Sequence, residues 1–249
     1  MKHKDWVVFE HDILPSTQDE AKKLLAAGQT PPFIVVAKHQ SAGRGRAGHA
    51  WSSLPDNLQC TLVLPVCLEA RHAGQYAFVI GLALADTCEH FGITDIALKW
   101  PNDVLVKGQK IAGILLESNI EADGHVSSLL IGTGVNVASA PDGATAFYLA
   151  STQKPTPLDV LSVYQRDVIK YLDMFEAGGF ASIRKKWLSY AYKLGQKMKV
   201  RLPSSTFEGS FVDIGNDGSL MVQVDGEAAP RQIYSGDVFF GENVNVTSH

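Results

Sequence analysis

Residues 41–51 read SAGRGRAGHAW, and Gly43, Gly45 and Gly48 within them stand at the GxGxxG spacing of a dinucleotide-binding turn. Such a turn ends a strand and starts a helix inside the glycines, because the free N–H groups of the helix N-terminus hold the pyrophosphate. A buried-strand run, Phe33 to Val36, precedes the loop. After Gly48, however, come His49-Ala50-Trp51-Ser52-Ser53-Leu54-Pro55-Asp56-Asn57 and then the β-like run Leu58 to Val66, which leaves no room for a helix. The glycines therefore join two strands, and the segment argues against a Rossmann fold. Glu69 has the spacing of that fold's ribose-binding acid but carries little weight without a βαβ unit, and no Lys-Ser or Lys-Thr closes a Walker loop.

The variable positions of the loop hold Arg44 and Arg46. Glycine supplies backbone freedom and arginine a forked, permanently charged donor, a combination suited to wrapping phosphate or a phosphate-linked carbonyl. Ordering a residue costs about 1–2 kcal/mol of backbone entropy, whereas a hydrogen bond to a charged group returns about 1.5–3 kcal/mol. Two arginines cannot hold the whole loop ordered, so the expectation is a flap that is mobile when empty and closes over ligand. The competing readings are a polar surface hairpin and an RNA-binding Arg-Gly segment; Trp51 and the lack of further Arg-Gly repeats count against the second.

Around this loop the hydrophobic pattern predicts a strand from Trp6 to Leu14, then a helix opened by Pro15-Ser16 with Ala21, Leu24 and Leu25 on its apolar face. A long helix from Arg71 to Phe91 follows, then β segments at Ile96–Trp100, Val104–Val106, Ile111–Glu117 and Val126–Val137, and helices at Leu158–Phe175 and Phe180–Leu194. From Gly195 the period becomes alternating, in KMKVRL, FEGSFVDI, SLMVQV and PRQIYSGDVFF, with turn residues between. The expected organisation is one α+β domain over residues 1–194, a mixed sheet packed with helices, and a small all-β domain over residues 195–249. At this size the second domain is expected to lean on the first. Met198-Lys199 reads as its first strand rather than as a lysine that receives a cofactor.

Composition narrows the function classes. A net charge of −4 over 249 residues, with Lys and Arg scattered, carries no broad footprint for duplex nucleic acid or an anionic membrane. The three cysteines show no CxxC spacing, the N-terminal apolar run is broken too early for a signal peptide, and the longest apolar stretch is far short of a span; a cytoplasmic protein is expected. None of the eight histidines has zinc-site spacing.

Two further motifs carry chemistry. KWPNDV, residues 99–104, puts Lys99, Asn102 and Asp103 just ahead of Lys110 in KIAGILLE, residues 110–117; pairing across the Gly108 turn brings Asp103 and Lys110 together. IGTGVNV, residues 131–137, ends a strand with Gly132 and Gly134, which permit close approach of a ligand, and places Asn136 beyond them. With PSTQDEA ahead of them and the small β domain behind, GRGRAGHAW, KWPNDV, KIAGILLE and IGTGVNV in this order resemble the biotin protein ligases over nearly the whole chain. The family pattern GRGRxGRxW is met except that His49 stands where arginine is usual.

The resemblance implies a class II synthetase-like biotin/lipoate ligase catalytic domain followed by an SH3-like β-barrel. It also implies a two-step ATP-dependent ligation: biotin carboxylate and MgATP give biotinyl-5′-AMP and pyrophosphate, and a lysine of a biotin carboxyl carrier protein or carrier domain then takes the biotin. On the matching positions, Lys110, Arg46 and Asp103 are the catalytic candidates, Asp103 to orient the incoming amine or accept its proton. Ser16, Thr17, Gln18, Gln40, Arg44, Gly45, Arg46, Lys110 and Gly113 would bind biotin, and Arg44, Arg46, Trp51, Asn102, Lys110 and Asn136 the ATP or adenylate. Ser16 also reads as a helix N-cap with Asp19 completing a capping box. Mg²⁺ is expected to be held chiefly by phosphates, with no metal site assigned to the chain. The long form of the family carries an N-terminal DNA-binding domain; with the first catalytic strand starting near Trp6, that domain and a DNA-binding role are not expected. A homodimer and a monomer suit the sequence equally. The alternatives are a lipoate-type ligase and a non-catalytic adenylate- or RNA-binding module.

Overall fold

The computed structural model describes residues 6–121 and 124–241. The ends of the two expected domains, residues 1–5 and 242–249, lie outside the described residues. The chain runs β1 (Val7–Leu14), α1 (Thr17–Ala26), β2 (Phe33–Gln40), β3 (Leu58–Glu69), α2 (Gln75–His90), β4 (Ile96–Lys99), β5 (Asp103–Val106), β6 (Gln109–Ile120), β7 (His125–Val135), the short α3 (Phe147–Ala150) and the long α4 (Pro157–Leu188). Five short strands complete it: β8 (Lys197–Arg201), β9 (Thr206–Ile214), β10 (Leu220–Gln223), β11 (Arg231–Ile233) and β12 (Asp237–Phe239).

The first seven strands form one sheet in the order β1-β2-β3-β7-β6-β5-β4. Only β1 and β2 are parallel, because α1 is the only helical crossover between adjacent strands; the rest are antiparallel, so the sheet is mixed. Alternation in β2 shows how both faces are used. Ile34 and Val36 enter the large core under α2 and α4, whereas Phe33, Val35 and Ala37 enter a smaller core under α1, with Leu14, Val63 and Leu130. Helix α1 is short and covers only part of its face. The uncovered part, over β6 and β7, is roofed by the hairpin of residues 41–51.

Several expected elements shift. The helix from Arg71 is a short 3₁₀ turn at Ala70–His72 and then α2. The two expected C-terminal helices are both present along α4, parted by a kink at Gly179, whose non-helical φ of 62° and ψ of −172° are open to glycine and costly to other residues. The second stops at Leu188 rather than Leu194, because residues 190–192 turn to bond the open edge of β4: Leu98 N donates to Tyr190 O, and Tyr192 N to Leu98 O. Helix α4 is started by a capping box, Thr156 with Asp159, and by Pro157.

The small domain is an antiparallel sheet in the order β11-β10-β9-β8-β12. The last predicted strand, PRQIYSGDVFF, is split at residues 234–236, where Gly236 has a φ of 154°. This domain does lean on the first. Arg184 of α4 pairs with Asp213 at 2.5 Å, the Trp100 indole N–H donates to Gly218 O at 3.0 Å, and Gln75 Nε2 donates to Asn216 O at 3.2 Å. Met198, Val200, Phe211 and Val222 share the large core with α2 and α4.

Candidate active site

The hairpin that carries the glycines bends back on itself. Gly45 N donates to His49 O at 2.7 Å and Trp51 N to Gly43 O at 3.0 Å, with a 3₁₀ turn at Arg46–Gly48 between them. No α-helix starts in it, as the sequence predicts. The left-handed backbone falls at Gly48, the last glycine of the spacing, with φ 80°, and at Ala47 before it, with φ 51°, whereas Gly45 has an ordinary φ of −109°. Gly43 is required for space, since a Cβ there would lie 2.8 Å from Trp51 O.

Below the hairpin lies a cavity of about 200 Å³. Its floor is backbone. A Cβ on Gly134 would fall 2.2 Å from the Trp51 indole, one on Gly132 would lie 3.2 Å from the Gln18 amide, and one on Gly113 would lie 3.0 Å from Lys110 Nζ. Three side chains thus rest on three glycines of β6 and β7, and the groups that approach Gly132 and Gly134 closely are the protein's own Gln18 and Trp51.

The walls come from four segments. From α1, Gln18 Nε2 donates to Leu115 O at 3.2 Å, while its Oε1 is buried with no hydrogen-bond partner. Thr17 donates to Gln40 Oε1 through its N–H at 2.8 Å and its hydroxyl at 3.1 Å, and accepts from Thr61 at 2.8 Å. From β5 and β6, Lys110 Nζ lies 2.6 Å from Asp103 Oδ1 and 5.5 Å from the Trp51 ring centroid. Asp103 Oδ1 receives no aligned hydrogen bond, so that contact is an ion pair. The hairpin that joins them turns at Lys107 and Gly108, both at positive φ (50° and 79°), as a two-residue connection requires. Asn102 staples the preceding turn to β6: its amide donates to Ile114 O at 2.7 Å and its carbonyl accepts from Ile114 N at 3.0 Å.

The two loop arginines differ. Arg44 is half-exposed and bidentate to Asp19, at 2.7 and 2.6 Å, and the guanidinium holds the Asp19 carboxyl below the usual carboxylate range. The Arg46 side chain makes no hydrogen bond or ion pair among the described residues; burial pushes it below the usual guanidinium value, with Asp237 and Asp103 opposing the shift.

Twelve of the thirteen residues singled out from the sequence line this one cavity; Asn136 does not. It is buried behind the wall, where its amide donates to Thr145 O at 3.1 Å and reaches Lys110 O at 3.4 Å, so it braces the lysine's backbone. The capping box at Ser16 is not formed: Ser16 is the N-cap by backbone geometry without a side-chain bond, and the Asp19 carboxylate is turned to Arg44 instead. Asp237 of β12 also lines the cavity and has no signal in the sequence, since it comes from the other end of the chain. Cys60 lines it too, with its thiol pushed up by burial, which leaves it a poor nucleophile.

A seven-stranded mixed sheet with an arginine hairpin lying over glycines, and a small barrel beside it, defines the class as a protein ligase of the biotin and lipoate type. The Biotin/lipoate A/B protein ligase family model matches residues 11–136, and the Biotin protein ligase C terminal domain model matches residues 193–247. A biotin–[acetyl-CoA-carboxylase] ligase of Paracoccus denitrificans is 38% identical over 91% of this chain and 97% of its own length. The chain belongs to the biotin protein ligase family and is an enzyme of that kind. Among solved structures, the Aquifex aeolicus biotin protein ligase in complex with biotin and ATP shares the fold, with a TM-score of 0.77 at 24% identity over 94% of this chain and 97% of that one. The Leishmania major enzyme in complex with biotinyl-5-AMP has a TM-score of 0.66 at 25% identity over 92% and 99%. No helix among the described residues is long and apolar enough to cross a membrane.

Proposed function

We propose that this chain joins biotin to AMP in the cavity under the hairpin and then passes the biotin to a lysine of a carboxylase carrier domain. The observation that carries the reading is the meeting of Lys110, Asp103 and Trp51 over Gly113 and Gly134, within reach of an unpaired Arg46. In the first step two anions are brought together, and charge grows on the oxygens of the α-phosphate as the carboxylate attacks; fixed cations placed there beforehand lower that barrier. Lys110 and Arg46 fill this role, with Arg44 once it leaves Asp19.

The unpaired Gln18 Oε1 fits a ligand N–H, the donor that the ureido ring of biotin offers, and Ser16, Thr17, Gln40, Gly45 and Gly113 complete that end. Trp51 and Asn102 flank the adenylate, and Asn136 acts from behind by bracing Lys110. In the second step Asp103 orients the incoming amine or accepts its proton, its carboxylate being freed when phosphate replaces it at Lys110.

Mg²⁺ suits this site as an ion carried by the phosphates. Asp103 and Asp237 are the carboxylates on the cavity wall, and no three His, Cys, Asp or Glu side chains converge among the described residues. When bound, the ion neutralises phosphate charge.

Biotin-dependent exchange of label between pyrophosphate and ATP tests the reading. Exchange with biotin and not lipoate is expected; exchange with lipoate alone shows a lipoate-type ligase, and exchange with neither shows a binding module.

A further inference from the structure

Lys110 stands at an irregular place in the sheet. The β6–β7 ladder ends with Ala112 opposite Val135, and the β5–β6 pairing shifts register between Val104 and Leu105, so Lys110 lies past a bulge and beyond the reach of β7. The segment that follows β7 takes over. Thr145 N donates to Lys110 O at 2.9 Å, the Asn136 amide reaches the same oxygen at 3.4 Å, and Asn136 N donates to Ile111 O at 2.8 Å.

That segment is gripped by one side chain from the neighbouring strand. Asn57, only 3% exposed, accepts at its Oδ1 from Val137 N at 2.8 Å, Ala138 N at 3.0 Å and Ser139 N at 3.3 Å, and its Nδ2 donates to Ser139 O at 2.9 Å. Successive N–H groups converging on one oxygen form a nest for partial negative charge, and an amide also returns the bond to the carbonyl. The β3–β7 ladder stops with Leu58 opposite Val135, so the Asn57 side chain continues a pairing that the two backbones give up. Asn57 is also where the limb returning from Trp51 enters β3. The root of the arginine hairpin and the brace of Lys110 therefore meet at one residue.

We propose that Asn57 is a positioning residue for adenylation, acting through residues 136–139 to hold Lys110 where charge develops on the α-phosphate. The inference rests on the role given to Lys110 above. Asn57 does not line the catalytic cavity, so it acts on the reaction only through its neighbours. A cation that meets charge present only in the transition state is felt in kcat and not in the affinity of the ground state. Loosening its support is therefore expected to slow the first step and to leave biotin bound as before, since α1 and β2 hold the ureido end.

The test is biotin-dependent exchange between pyrophosphate and ATP by the full chain, expressed per active site by counting the burst of adenylate. Asn57→Ala, in which water can reach the freed N–H groups, should lower kcat about tenfold while the calorimetric Kd for biotin stays within about twofold. Asn57→Asp keeps the three accepted bonds and should recover most of the rate. Asn136→Ala should lose about as much as Asn57→Ala, and the double variant little more than either, because two residues on one path are not additive. A purely structural role would lower the melting temperature and leave kcat per active site where it was. Asn57→Ser takes the place of Asn57→Ala should that variant fail to fold. An unchanged kcat per active site in the folded variant, or losses that multiply in the double variant, overturns the positioning role. A wild-type chain without exchange, or normal exchange by Lys110→Ala, overturns instead the reading on which it rests.

Discussion

Asp19 and Arg44 face each other across the mouth of the cavity with two parallel N–H···O contacts of 2.7 and 2.6 Å, tying the first turn of α1 to the arginine hairpin. Both side chains are 40% exposed, so the pair is worth about 0.2–1 kcal/mol, enough to bias a loop but not to fix it. A substrate anion competes with Asp19 for the same fork.

Asp19→Asn is expected to loosen the hairpin in the loaded state and to release free adenylate several-fold faster, as measured by its appearance in solution without an acceptor. The pH dependence has a defined sign. Because Arg44 lowers the Asp19 carboxyl below its usual value, the pair's contribution is full above the unfolded value of about 3.9 and is lost as pH falls through the lower folded one. Hydrogen exchange of hairpin amides in the empty protein should be pH-insensitive, after correction for intrinsic rates, from about pH 5 to 8 and rise below about pH 4, a rise that Asp19→Asn removes.

Lys110→Ala should abolish adenylate formation while leaving biotin bound, because the lysine acts on the developing charge and the ureido end is held by α1 and β2. Calorimetric binding of biotin together with an exchange assay separates the two; normal exchange removes Lys110 from its role.

Gly134→Ala places a methyl where the Trp51 indole lies, and a 2.2 Å approach forces the ring off the floor. Overpacking of this kind costs about 1–3 kcal/mol. The expected readout is a lower melting temperature, a shifted Trp51 emission and a raised KM for ATP; Gly45→Ala, with its nearest new neighbour at 3.4 Å, should leave all three close to wild type.

Arg184→Ala removes the pairing of α4 with Asp213 and with Ile214 O at the barrel. Loss of a charge-assisted bond at a half-buried position is expected to cost about 1–3 kcal/mol. Thermal unfolding should broaden or split as the barrel loosens ahead of the sheet, and a single sharp transition at the wild-type temperature overturns this view of the domain contact.

How far the site was legible depends on how locally each residue acts. Lys110 and Asp103 flank a two-residue hairpin turn, so their meeting follows from short-range pairing. The capping box at Ser16 was a sound local reading, defeated because Arg44, distant in sequence, offers Asp19 a better partner than a backbone N–H. Asn136 sits beside glycines that do face the cavity, but a strand end that turns inward to meet Thr145 carries its side chain behind the wall. Of the three glycines that the spacing marks, Gly48 takes a left-handed φ, and Ala47, which no glycine pattern marks, takes another beside it.

The sequence by itself determined that the glycine loop joins strands, that a mixed sheet with helices precedes a small β domain, and which segments carry the cations, because periodicity and turn chemistry are written within a few residues of where they act. Only the tertiary structure decided that Asp237, Arg201 and Phe239 border the same space as Lys99 and Arg46, that Gly113 and Gly134 form the surface on which Trp51 lies, and that Asp19 turns to Arg44. Those relations join segments far apart in the chain. They are set by which faces pack and by which unpaired charge finds a partner when the sheet, the hairpin and the barrel close together, and no local pattern records that.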